Sequence, residues 1–510
     1  MSLSRNIVAN YASQFYVAFV GIFLVPVYMR LMGSEAYGLV AFFVMLQAWF
    51  QLLDFGLTAT ISRETARYLG GGGLDALALR RLMRSLEGCF WVIGIVAAAA
   101  MAFAASSVAD HWLNIRELPH SEVELSLALM GLTVSTRWIG GLYRGAISGL
   151  ERQVWLSLFN MCIVTARFVG VVPVLLFVGP EPVNFFLYQA VVSAIELGVL
   201  LTRAYAAVPL PSGASNRWSW SPLRSVLKFS SAVAFTSAVW VLVTQTDKLL
   251  LSRFLPLQDY GFFTAAVLIA SSITLINGPI TQALLPRITR LSQQGDIAGV
   301  LALYRQATQG IAAIAGSLSL VIAVFARQIL WVWTGDMTFA SGYAPVLALY
   351  AIGNGFLAVA AFPYYLQYAK GDLRLHLWGN VVFVLVLMPA IVLATSRFGA
   401  IGAGAVWAST NLLFFLCWTP IVHRRFVPGL HAQWLAHDVA RVLVLPVVSA
   451  PFLWYAADLP LDRSGWAVLI ATAAVAVIGL ALWQARSLRA PLLSVALRLS
   501  SPMRRKAPIQ

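Results

Sequence analysis

The sequence predicts an all-α polytopic membrane protein of about fourteen transmembrane helices, arranged as two parallel six-helix repeats plus two C-terminal helices. Three observations predict it. Of 510 residues, 60% are hydrophobic and 11% are charged, with a mean hydropathy of +0.80, whereas a soluble domain carries roughly 25% charged residues. Apolar runs long enough to cross roughly 30 Å of hydrocarbon at 1.5 Å per residue recur along the whole chain. The third is a duplication. Arg30–Gly38, R-L-M-G-S-E-A-Y-G, returns at Arg253–Gly261 as R-F-L-P-L-Q-D-Y-G. In the same register Leu52 falls on Leu275, Thr58 on Thr281, Arg67 on Arg290 and Gly72 on Gly295, while Asp54 falls on Asn277. So many identities in one register mark an internal repeat.

The spans fall at about 7–29, 38–62, 85–107, 122–148, 153–178, 183–205, 226–251, 258–286, 304–326, 340–367, 374–396, 400–422, 439–457 and 465–485. The first run is too long for a signal peptide and lacks a small-residue cleavage site, so it reads as a retained helix. Arg30 ends it at the interface, a short polar loop turns, and Tyr37 is expected at headgroup level with its hydroxyl wet. An even number of crossings puts both termini on one side. About 26 of the 35 Lys and Arg residues sort to that side and about 6 to the other, with Arg144 counted on the crowded side and Arg137, Arg167 and Lys248 inside spans. The positive-inside rule makes the crowded side cytoplasmic, with both termini there.

Six crossings separate the two copies of the hairpin, so the copies share an orientation and the halves relate by an axis along the membrane normal. The expected divisions are residues 1–205 for the first half, a cytoplasmic linker at 206–225, and 226–422 for the second half. Two appended helices at 423–485 and a basic cytoplasmic tail at 486–510 follow. Ala206–Pro222 is rich in Pro, Ser and Gly, as a linker should be. Arg63–Arg84, interrupted by Gly70–Gly73, reads as an interfacial segment with a glycine swivel or as a surface loop. The tail mixes Leu and Val with Arg. The net charge of +15 is thus expected to meet anionic membrane lipids rather than nucleic acid.

Cys89, Cys162 and Cys417 lie in apolar runs and read as free, buried thiols. Six histidines form no ligand pair with useful spacing, so no metal site is expected. A phosphate-cradling Gly loop followed by Lys and Ser/Thr is missing from the sequence, which excludes ATP hydrolysis by that motif. No catalytic residue and no cofactor are expected, and H+ or Na+ are the candidates for a coupling ion.

Charges inside spans are costly, at least about 2.5–3.5 kcal/mol near mid-bilayer, and by default functional. Arg137 and Arg167 sit near the middle of the fourth and fifth crossings, Glu196 midway along the sixth, and Asp54 in the inner half of the second. Two readings stand. In one, Arg137 and Arg167 line an anion path, their planar forks suited to phosphate. In the other, Arg167 pairs with Glu196 and staples the half together. Asp247 and Lys248 lie toward the outer end of the seventh crossing, where Lys248 can snorkel. Gln47 and Gln51 share a helix face at i, i+4, and with Asn160 they either hydrogen-bond a sugar or glue helices. Asp54, Glu196, Asp247 and Lys248 are candidates for ion coupling or structural pairing.

The hairpin motif, D-F-G-L-T-A-T-I-S-R-E at Asp54–Glu64, D-K-L-L-L-S-R-F-L at Asp247–Leu255 and F-P-Y-Y-L-Q-Y-A-K-G at Phe362–Gly371 resemble the polysaccharide flippases. These are the repeat-unit flippases of O-antigen and exopolysaccharide assembly, within the multidrug/oligosaccharidyl-lipid/polysaccharide (MOP) exporter superfamily. The resemblance implies a V-shaped bundle like that of the multidrug MATE exporters, in a bacterial cytoplasmic membrane. It also implies a transporter rather than an enzyme, flipping undecaprenyl-diphosphate-linked oligosaccharide between leaflets by alternating access. A polysaccharide polymerase and a chain-length regulator are the partner proteins it implies. Two other classes compete: a multidrug exporter of the same superfamily, which the central arginines oppose, and a polysaccharide polymerase or ligase, which the short extracytoplasmic loops oppose.

Overall fold

The computed structural model describes residues 3–71, 75–208 and 221–488, and these are helical throughout apart from turns and one isolated β-bridge. Helices suit a bilayer because hydrocarbon offers backbone groups no partners. In chain order they are α1 Leu3–Met32, α2 Ser34–Phe50, α3 Leu57–Leu69, α4 Ala76–His111, α5 His120–Gly149, α6 Gln153–Val164, α7 Val171–Phe177 and α8 Pro182–Ala207. Then come α9 Ser221–Phe254, α10 Leu257–Ser271, α11 Asn277–Gln293, α12 Ile297–Ile311, α13 Ser317–Val324, α14 Ala326–Thr334, α15 Met337–Ala360 and α16 Pro363–Lys370. α17 Arg374–Leu413, α18 Thr419–Phe426, α19 Leu430–Gln433, α20 Arg441–Ala456 and α21 Arg463–Gln484 complete the series.

Among the described residues, twelve helical stretches are long and apolar enough to span a membrane. The longest, Arg374–Phe426, is two helices meeting at Gly399, whose φ of 57° and ψ of −138° no α-helix contains. Divided there, and joined by the 34-residue α9, the set agrees with the roughly fourteen crossings read from hydropathy.

The duplication is visible in the backbone. In the first copy a 3-10 turn at Gln51–Asp54 interrupts the second crossing, followed by Phe55 and Gly56 at φ 45° and 72°. In the second copy a 3-10 turn at Ser272–Ile276 interrupts the eighth crossing at nearly the same register. The sequence reading had each crossing continuous.

The chain divides into two compact units. One runs up to Ala265 and takes in Val392–Ala400; the other holds Ala266–Ile391 and the chain from Ile401 onward. The first unit is built around α3, α4, α5 and α8, with Ile61, Leu86, Phe90, Leu142, Tyr143 and Leu200 at its centre. In the second, α20 and α21, the helices beyond the duplication, pack on α13 and α14 through Val321, Phe325, Trp466 and Val477.

Three expectations are corrected. The hairpin needs no polar loop: Gly33, at φ 88°, is the single residue between α1 and α2. Tyr37 is not wet but 5% exposed, because the second copy packs on it from the side of Gly261. The cysteines are free, yet Cys162 and Cys417 are exposed and Cys89 half-buried, since on a membrane helix the outward face meets lipid, which accepts a thiol as readily as the core does. Most of the linker, residues 209–220, with Gly72 and Gly73 of the glycine run and the tail from residue 489, lies outside the described residues.

Candidate functional site

The break in the second crossing builds the site. Turning the chain through Phe55 and Gly56 frees the first backbone donors of α3, and Asp54 takes them up. Its Oδ1 accepts from the Thr58 amide at 3.2 Å and from the Thr58 hydroxyl at 2.5 Å. The carboxylate therefore caps a helix inside the unit instead of lying along a continuous face. Beside it opens a cavity of about 340 Å³ lined by Gln47, Gln51, Asp54 and Thr58 from this crossing, Arg137, Trp138 and Gly141 from α5, and Ser237 from α9. The wall is mixed: two amides, a carboxylate, a guanidinium and an indole.

Arg137 points its guanidinium over the Phe43 ring at 5.7 Å and makes no ion pair among the described residues. Two turns further along α5, Arg144 is placed differently. It pairs with one oxygen of Glu196 on α8, while Arg167 pairs with the other. Arg144 also donates to the Asn160 carbonyl oxygen at 3.3 Å, and the Asn160 amide donates to Ser13 at 3.3 Å. Glu196 and Arg167 are both 4% exposed. Three guanidinium groups close enough to repel one another thus share one buried carboxylate.

Arg167 is aimed by a π-turn at Thr165–Val169. A π-turn widens the helix and loosens the carbonyls of one turn, and here side chains collect them. Tyr188 donates to the Ala166 carbonyl at 2.8 Å, Gln189 to that of Arg167 at 2.9 Å and Tyr28 to that of Phe168 at 2.7 Å. Tyr16 meets the Thr165 hydroxyl at 2.5 Å. Donors from α1 and α8 therefore hold the distorted turn from both sides.

The family model of polysaccharide biosynthesis proteins matches residues 3–292, more than half of the chain. The chain belongs to that family. A curated relative, the "Putative O-antigen transporter" of Shigella flexneri, is 18% identical over 424 residues, covering 81% of this chain and 96% of the relative. Among solved structures, the inward closed conformation of the lipid II flippase MurJ has a TM-score of 0.74 at 11% identity, covering 94% of this chain and 99% of that one. An inward-facing multidrug MATE transporter of the MOP superfamily has a TM-score of 0.64 at 13% identity, covering 80% and 94%. This polysaccharide biosynthesis protein therefore has the fold of MOP-superfamily transporters, in a multi-pass membrane chain.

Within this family member, the structure brings together Gln47, Gln51, Asp54 and Arg137 at the cavity. It places Arg167, Glu196 and Asn160 in a separate buried network with Arg144. The paired arrangement of Arg167 and Glu196 is the one observed. Asp247 and Lys248 lie apart from both. Asp247, 2% exposed, accepts from the Lys248 amide at 2.8 Å, and the Lys248 ammonium reaches the Thr244 carbonyl at 2.6 Å and Asp247 at 3.3 Å.

Sequence reasoning misplaced Arg144, which it counted with the cytoplasmic charges although α5 keeps it inside the helix. Its position seven residues after Arg137 puts both on one helical face, and that spacing was the available signal. Trp138 and Ser237 of the cavity wall carry no comparable mark.

Proposed function

We propose that the protein flips a lipid-linked oligosaccharide, an undecaprenyl-diphosphate-linked repeat unit, from the cytoplasmic to the periplasmic leaflet by alternating access. The observation that carries this reading is Arg137, a guanidinium with no anionic partner among the described residues, facing a polar cavity in the membrane-embedded first unit. Sugar hydroxyls and diphosphate charges cannot enter hydrocarbon without partners. Arg137 offers the diphosphate a charge-assisted fork, and Gln47, Gln51 and Asp54 offer hydroxyls donors and acceptors. The lipid tail needs no such site, because it can stay in the bilayer. Asp54, the titratable group on the cavity wall, is the residue through which H+ or Na+ would couple. The crowding of Arg and Lys on one side supports the cytoplasmic assignment of that side.

The test is translocation by purified protein in liposomes. A polyprenyl-diphosphate oligosaccharide is placed in one leaflet, and its arrival in the other is followed with an impermeant sugar-modifying enzyme. Wild type should move it, and a folded Arg137→Ala variant should not. Wild type that moves no lipid-linked sugar but exports cationic dyes would replace this reading with that of a drug exporter.

A further inference from the structure

The turn between α4 and α5 touches both copies of the duplicated hairpin. Its residues 116–118 present three successive backbone N–H groups, a concavity that binds anions, and Glu35 at the start of α2 fills it. The Glu35 carboxylate accepts from the amides of Arg116 at 2.6 Å, Glu117 at 2.7 Å and Leu118 at 3.0 Å, and it is 5% exposed. Two to four residues earlier, the same turn holds the second copy. The Leu257 amide, an otherwise free donor at the start of α10, bonds to the Asn114 carbonyl at 2.9 Å, and Asn114 and Pro256 form an isolated parallel bridge. The Trp112 indole donates to Ser252 at 3.0 Å, and the Arg253 guanidinium lies 5.3 Å over the Trp112 ring. Glu35 is a charged group given up wholly to another segment, and both ends of the turn are committed to opposite copies.

We propose that residues 112–118 are a strap that holds the two hairpin copies together at the arginine-poor face, with Glu35 as the positioning residue that locks it. The inference rests on the translocation reading only for its consequence. A carrier that discharges on that face must part the two copies, so the strap must let go in each cycle. The second copy has Gln258 where the first has Glu35, so the lock is single and the strap is released from one side.

The test uses the full chain with Cys89, Cys162 and Cys417 replaced by Ser. In one variant Asn114→Cys and Pro256→Cys are joined by oxidation across the bridge and freed by a reductant. Oxidation should slow liposome translocation at least about tenfold and reduction restore it, because opening then limits turnover. Oxidised protein that flips at the reduced rate overturns the strap. If the reduced protein moves no cargo, the flippase reading fails instead, and the strap is judged without cargo. Leu257→Cys, at a position 1% exposed, is treated with an impermeant maleimide from the arginine-poor side. Labelling should be about tenfold faster when Glu35→Ala is added, as for a gate set free. Equal labelling rates overturn the proposal.

Discussion

Gly38 and Gly261, equivalent positions in the two copies of the duplicated motif, stand against each other. A Cβ on Gly261 would lie 3.0 Å from the Gly38 amide nitrogen and 3.2 Å from its Cα, while one on Gly38 would run into the Leu257 backbone and sit 2.8 Å from the Leu257 Cγ. The hairpins therefore meet backbone to backbone, a packing that small residues permit in membranes, where close van der Waals contact drives helix association.

Neither glycine tolerates a side chain without a shift of backbone. Gly38→Val is expected to destabilise the protein by about 1–3 kcal/mol, the usual cost of overpacking. Gly261→Ala, whose neighbours have slightly more room, should fall at the low end. Thermal unfolding in detergent measures both, and an unchanged melting temperature for Gly38→Val would contradict the contact.

Arg137 and Arg167 should separate in experiment. Arg137 has no carboxylate to lose, so Arg137→Ala should fold and lose transport. Arg167→Ala strips a buried partner from Glu196 and should cost about 3–5 kcal/mol. Comparing expression and melting with translocation decides it, and a stable, transport-inactive Arg167→Ala would move Arg167 into the substrate path.

The same network makes a sign prediction. Glu196→Ala leaves Arg144 and Arg167 facing each other unpaired, with a loss of about 3–5 kcal/mol, whereas the double change Arg167→Met with Glu196→Leu should recover most of it, since a buried pair is worth little more than well-packed apolar side chains. Arg144 still needs an acceptor, and Asn160 at 3.3 Å remains to serve. A melting series over the two variants and the parent tests this.

Asp54 has a structural share that must be removed before its role in transport is read. Asp54→Ala loses the cap on α3 and should cost about 1 kcal/mol, while Asp54→Asn keeps an acceptor for Thr58 and should cost less. Transport that is lost in Asp54→Asn at near-native stability would assign the charge itself to function.

How much of this was legible beforehand follows from what each signal depends on. Hydropathy located the crossings, because burial in lipid requires an apolar run whatever the packing, and the duplicated hairpin announced the repeat. The breaks at Asp54–Gly56 and at Ser272–Ile276 were not read, since a 3-10 turn inside an apolar run leaves the hydropathy unchanged, although Gly56 marked the first. Charge within spans found Arg137, Arg167 and Glu196 but not who pairs with whom, which depends on the rotation of α5, α6 and α8 about their axes. Arg144 sat near enough to a helix end to pass for an interfacial charge. Glu35 passed for a loop residue, because nothing local shows that three amides some eighty positions away will close on it.

The π-turn at Thr165–Val169 has a consequence for how the chain can change. An α-helix advances 100° per residue, so a π-turn amounts to one surplus residue absorbed without unwinding the crossing. Excision of a single residue there would restore a regular helix and rotate everything beyond it by about 100° relative to α6. Tyr188, Gln189 and Tyr28 would then face carbonyls already engaged within the helix, and the guanidinium now held against Glu196 would swing toward the acyl chains. In this crossing, length rather than residue identity sets the compass bearing of the charge.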